Sequence, residues 1–198
     1  NPKVETMYPF DLAKAGKLLD EAGYPVGPDG LRFKTTVILD RADTKTMDIT
    51  EILREQLKKV GIETVIVPME KATLNERFWV KADFDLSSVP SNQTGDPAIG
   101  IEHQFVTEGI APIPSNHNVN EYSIPEVDKL FFLARTTIDQ KKRGQYYREV
   151  QPILLRDLPR LPLTDSPKFA AFKKNVRGVN ERRLFSIYYA PSDAWFSR

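Results

Sequence analysis

The sequence predicts an α/β fold, a mixed sheet with a βαβ unit flanked by helices. Three observations predict it. The alternating run Leu31–Leu39 is followed by a helical stripe and then by the β-branched run Ile62–Val67, which is the order strand, helix, strand. Fifteen prolines and ten glycines cut the chain into short elements. The 198 residues, 40% apolar and 28% charged, suffice for a packed core and have the composition of an ordinary folded protein.

The elements follow in order. Asp11 is an N-cap residue, and Leu12, Ala15, Leu18, Leu19 and Ala22 recur at helical spacing up to Gly23 and Pro25, which end the helix. Gly27-Pro28-Asp29-Gly30 is a turn. Leu31, Phe33, Thr35, Val37 and Leu39 share one side of the first strand. Asp43 or Thr44 caps the next helix, with Met47, Ile49, Ile52, Leu53, Leu57 and Val60 as its apolar stripe and Gly61 as its stop. The crossover to Ile62–Val67 should be right-handed, with parallel strands.

Leu74–Val80 is predicted helical and Phe84–Val89 is a third strand. Periodicity then stops between Pro90 and Tyr122, as in a functional or mobile loop, with one or two helical turns at Ile99–Phe105. It returns at Ile124-Pro125-Glu126, a helix start with proline near the first position. Val127, Leu130, Phe131 and Ala134 form that helix's stripe. Asp139 caps a last helix running to about Arg156, with Tyr146, Tyr147, Val150, Ile153 and Leu154 buried and Pro152 placed to kink it. Leu161–Leu163, Phe169–Phe172 and Leu184–Tyr189 read as short strands.

Composition excludes several functions. The 28 basic and 27 acidic residues nearly cancel, which argues against a nucleic-acid partner; Lys141-Lys142-Arg143 and Lys173-Lys174 read as a solvated helix face and a loop. Without cysteine there is no disulfide, thiolate metal site or cysteine nucleophile. No apolar run approaches the roughly 20 residues of a membrane span, and no apolar signal region opens at Asn1-Pro2-Lys3-Val4. His103 and His117, both in the irregular segment, fit no zinc spacing and read as loop histidines. Gly95-Asp96-Pro97 lacks the features of a phosphate loop. Asp83 and Asp85 share a strand face, but a glycosidase pair built on them would need a third partner elsewhere; Asp83 reads as the end of a turn and Asp85 as solvating a strand. No catalytic residue, metal ligand or cofactor is expected. A small α/β hydrolase or transferase domain with an unrecognised site is the alternative.

One pattern is specific. The segment from Tyr8-Pro9-Phe10-Asp11 through Lys14-Ala15, Leu18-Leu19, and Glu21-Ala22-Gly23-Tyr24-Pro25 resembles a signature of the family 5 bacterial extracellular solute-binding proteins. Further resemblances follow in the family's order: Glu55–Ile62, Phe84-Asp85-Leu86, Asp96-Pro97, Tyr122–Leu130, Arg143 with Tyr146 or Tyr147, and Leu158–Leu163. Residues such as Leu18, Ala22 and Gly23 hold a scaffold, so the signature identifies the family through its core.

The resemblance implies the C-terminal lobe of a type II-like (cluster C) periplasmic binding protein. Residues 1–178 would form the α/β lobe, and 179–198 a tail returning to an amino-terminal lobe that this segment lacks. It implies an exported protein, periplasmic or extracellular, that closes on a peptide-like or other small polar solute and delivers it to an ABC permease. A sensor reusing the lobe would carry a fused DNA-binding domain instead. In peptide receptors of the family, the loop after the third strand supplies an aspartate for the peptide's α-ammonium, beside Gly-Trp. Here that loop reads Pro90-Ser91-Asn92-Gln93-Thr94-Gly95-Asp96-Pro97, with an amide, Asn92 or Gln93, nearest the aspartate position. Ser91, Asn92, Gln93 and Asp96 are therefore the candidate ligand-binding residues, Asp96 also suiting a turn before Pro97.

Overall fold

A computed structural model of the chain describes residues 7–91, 96–110, 117–164, 173–178 and 195–196. Helix α1 spans Leu12–Glu21, and the Asp11 carboxylate accepts from the Lys14 N–H at its start. Gly23 follows with φ of 87°, the left-handed region where a glycine carries no Cβ penalty. Strand β1 is Phe33–Asp40, helix α2 is Thr44–Lys58 and strand β2 is Ile62–Met69. β1 and β2 are parallel from Phe33 opposite Ile62 to Asp40 opposite Met69, which makes the expected βαβ unit.

Helix α3, Lys71–Asn75, passes into a π-helical turn, Glu76–Val80, and then strand β3, Leu86–Ser87. β3 pairs parallel with β1 on the side away from β2, giving the order β2-β1-β3. The strand expected over Phe84–Val89 is thus two residues long. At its entrance the Asp85 carboxylate accepts from both the N–H (2.8 Å) and the hydroxyl (2.7 Å) of Thr36, so a side chain takes the β1 donor that a longer strand would have used.

The one-sided alternation expected of β1 is also not what burial shows. Val37, Ile38 and Leu39 are all buried, because a central parallel strand is covered on both faces. In α2, Ile52 is exposed while Thr46 and Thr50 are buried. Both hydroxyls are satisfied locally, Thr46 by the capping Asp43 (2.7 Å) and Thr50 by the Thr46 carbonyl (2.7 Å), so they are buried without an orphaned polar group.

The second half contributes helix α4 (Pro97–Gly100), 3-10 turns at Glu102–Gln104 and Thr107–Gly109, helix α5 (Pro125–Thr136) and helix α6 (Gln140–Asp157). Val127, Leu130, Phe131 and Ala134 are all buried, as the stripe predicts. α6 opens with the Asp139 carboxylate accepting from the N–H groups of Lys141 and Lys142, and it continues past Pro152 to Asp157. Leu161–Leu163 is not a strand; Leu161 and Leu163 are exposed. Strands β4 (Val176–Arg177) and β5 (Trp195–Phe196) pair antiparallel. The strands expected at Phe169–Phe172 and Leu184–Tyr189 lie outside the described residues.

Two apolar clusters carry the packing. One joins Ile38, Leu74, Phe78 and Val119, with Val67, Met69, Trp79, Phe84 and Val89 against it. The other joins Val106 to Val127, Leu130 and Phe131 of α5 and Val150 of α6.

Candidate functional site

In open parallel α/β sheets, ligands sit beyond the carboxyl ends of the strands. Here those ends are Asp40 of β1, Met69 of β2 and Ser87 of β3. The segment from Ser88 to Asp96 leaves from the last of them. Its start is held to the sheet, with the Ser88 N–H donating to the Ile38 carbonyl at 3.0 Å and Val89 packed on the sheet-side cluster. Its other end is held by Asp96.

Asp96 caps the short helix α4 by accepting from the Ala98 N–H (3.0 Å), and the same Oδ1 accepts from the Arg143 Nη2 (2.5 Å). The Arg143 guanidinium also donates to the Ala134 carbonyl and the Tyr147 hydroxyl and lies over the Tyr147 ring. One side chain of α6 therefore joins both long helices to the end of the loop. The charge-assisted contact to Arg143 holds the Asp96 carboxyl below the ordinary carboxylate range. Of the candidate ligand-binding residues, Ser91 is exposed near the sheet end of the segment, Asp96 is committed to this clamp, and Asn92 and Gln93 lie outside the described residues.

The region expected to be an irregular loop is well anchored in its described parts. The Thr107 N–H and hydroxyl both donate to the Asp128 carboxylate at 2.8 and 2.6 Å. The buried Asn118 amide donates to the carbonyls of Val106 and Tyr122 and accepts the Tyr122 N–H. The Tyr122 hydroxyl donates to Asp157 on α6 (2.7 Å), and burial with that bond pushes the phenol up. Glu102 is buried, with Oε1 accepting from Arg135 at 3.2 Å and Oε2 without a partner; desolvation outweighs the arginine and raises its carboxyl. These residues bind structure to structure across sequence gaps of 4 to 35 residues, and no local pattern marks them.

Asp83 and Asp85 do not form a carboxylate pair. Asp83 accepts from Arg77 at 3.0 Å and Asp85 from Thr36. His117, expected to be a loop histidine, is buried, and its ring lies 5.4 Å from that of Trp79. Among the described residues, no three His, Cys, Asp or Glu side chains are placed to hold a metal, and no helix is long and apolar enough to cross a membrane.

The chain is similar to known proteins in sequence and in fold. Residues 1–109 match the family described as bacterial extracellular solute-binding proteins, family 5 Middle. The chain is 28% identical over 177 residues to the glutathione-binding protein GsiB of Salmonella choleraesuis, covering 86% of this chain and 33% of that protein. It is similar to the periplasmic binding protein DppA of Helicobacter pylori in complex with the peptide STSA, with 27% identity, a TM-score of 0.67, and 79% of this chain and 29% of that chain covered. A mannohexaose-bound periplasmic oligopeptide-binding protein of Thermotoga maritima matches with 25% identity and a TM-score of 0.71, covering 82% of this chain and 32% of that one. The chain thus spans about one third of the length of the curated relatives it matches.

Proposed function

Because the chain belongs to family 5 of the bacterial extracellular solute-binding proteins, we propose that it forms one lobe of an exported receptor, acting in the periplasm, that captures a peptide-like solute and delivers it to an ABC permease. The observation that carries this reading is the carboxyl edge of the β2-β1-β3 sheet, which leads into a segment fastened at both ends, by Ser88 to β1 and by Asp96 to Arg143. The relatives named for glutathione and for the bound peptide STSA support the solute class.

Ser91, Asn92 and Gln93 would face the solute, with Asp96 setting where their segment ends. Asn92 and Gln93 offer amides, which hydrogen-bond an α-ammonium without an opposing charge. Capture is by lobe closure and requires no chemistry and no cofactor.

The test is the thermal stability of the receptor containing this chain against glutathione, short peptides and mannohexaose. At 100 times its dissociation constant, a solute that binds only the folded state stabilises by roughly 2.7 kcal/mol. A shift with glutathione or a peptide, and none with the sugar, is expected. A shift with the sugar alone would remove the peptide-like reading.

A further inference from the structure

Arg160 follows the end of α6 and is part-buried, with its Nε wholly enclosed and without a hydrogen-bond partner. Its Nη2 reaches the His117 carbonyl at 3.5 Å, the outer limit of a hydrogen bond. No carboxylate of a described residue pairs with it, and burial alone lowers its guanidinium below the usual arginine range. Every other part-buried arginine among the described residues has an acid: Arg32 has Asp20, Arg54 has Glu51, Arg77 has Asp83 and Arg143 has Asp96. A desolvated cation without a counter-charge is strongly unfavourable, and replacing such a group with an apolar side chain ordinarily stabilises a protein.

The position of Arg160 gives that cost a use. Its neighbour His117 lies against Trp79, and Trp79 packs on the cluster that holds Met69, the last residue of β2, and Val89, two residues before Ser91. The Asn120 side chain donates to the Pro159 carbonyl and fixes the backbone next to Arg160. Arg160 thus reaches the backbone of His117, whose ring lies against Trp79 and through it joins the sheet-side cluster.

We propose that Arg160, which reaches the His117 carbonyl, is a carboxylate subsite whose guanidinium takes one carboxylate of the captured solute. That the carboxylate is the solute's rests on the receptor reading above; the subsite itself does not. A planar fork of N–H donors suits a carboxylate, and in a dry setting one such contact supplies charge that the amides Asn92 and Gln93 do not.

The test compares the melting temperature of the chain with those of Arg160→Met and Arg160→Gln in chloride, acetate, acetamide, phosphate and glutathione, at matched ionic strength. Acetate should raise the wild-type value over chloride by roughly 2–4 °C, acetamide should not, and both variants should lose at least half the rise. In chloride, Arg160→Met should melt at or above the wild type. A lower melting temperature for both variants in chloride would mean that the guanidinium is already satisfied within the chain, and would overturn the proposal. So would an acetate shift that survives in the variants, or a response to phosphate without one to acetate. A glutathione shift equal in wild type and variants leaves the receptor reading intact and removes the subsite. An acetate shift without a glutathione shift keeps the subsite and counts against the peptide-like solute.

Discussion

Arg143 and Glu102 show opposite uses of a charge at a part-buried place. Arg143 gains a carboxylate, a hydroxyl, a carbonyl and an aromatic face, so its removal frees the end of the 88–96 segment. Arg143→Ala should cost about 1–2 kcal/mol in urea unfolding, less than a fully buried pair because Asp96 is one-third exposed. Arg143→Lys should recover only part of this, since an ammonium keeps the charge but not the fork. The pH dependence has a definite sign. Asp96 titrates below its ordinary value of 3.8 in the folded protein, so its contribution is present above that pH and is lost as pH falls through the folded value; Arg143→Ala should remove that acid-range loss. Glu102 titrates above its ordinary 4.5, so the folded state favours its protonated form, and its penalty grows as pH rises through the folded value. Glu102→Gln should therefore melt above the wild type at pH 7, and the gap should close as pH is lowered toward 4.5; a gap that widens would contradict this. In the proposed site, Gln93→Asp would add the missing charge and should tighten binding of peptides with a free amino terminus by about tenfold relative to acetylated ones.

At the scale of elements, the ends of helices respond most clearly. Asp139 satisfies two N–H groups of α6, and Asp139→Ala should cost about 1 kcal/mol. α1 has no buried residue. It is held largely through Arg32, whose Nη1 donates to Asp20 and to the Tyr24 carbonyl while its Nε donates to the Val60 carbonyl. Arg32→Met should raise amide exchange across Leu12–Glu21 with little change in β1; equal effects on both would show that α1 and the sheet open together. The helices were legible from periodicity and caps, Asp11 and Asp139 serving as expected and Asp43, of the two candidates Asp43 and Thr44, capping α2. The length of β3 was not legible, because the competing acceptor is Asp85 acting on Thr36, 49 residues away.

Across the whole molecule, native-state exchange should be slowest at Val37, Ile38 and Leu39, which lie in the central strand and are 0–1% exposed, and fast in α1. The family and the βαβ order were readable from the sequence alone, because apolar spacing, capping residues and glycine stops act within a few residues of one another. So were the four buried positions of α5. Which polar groups go inside was decided by the tertiary structure. Thr46, Thr50, Glu102 and Asn118 look like surface residues in the sequence, and three of the four are buried with every polar atom satisfied. Burial of a polar atom is tolerated where a partner arrives, and several of these partners come from elsewhere in the chain: Arg135 lies 33 residues from Glu102 and Arg143 lies 47 from Asp96. The sequence by itself determined which elements form and what lineage they belong to. The tertiary structure alone decided that Asp96 is clamped and that, among the described residues, no acid pairs with Arg160, since charge pairing depends on distance in space and hydrophobic periodicity on distance along the chain.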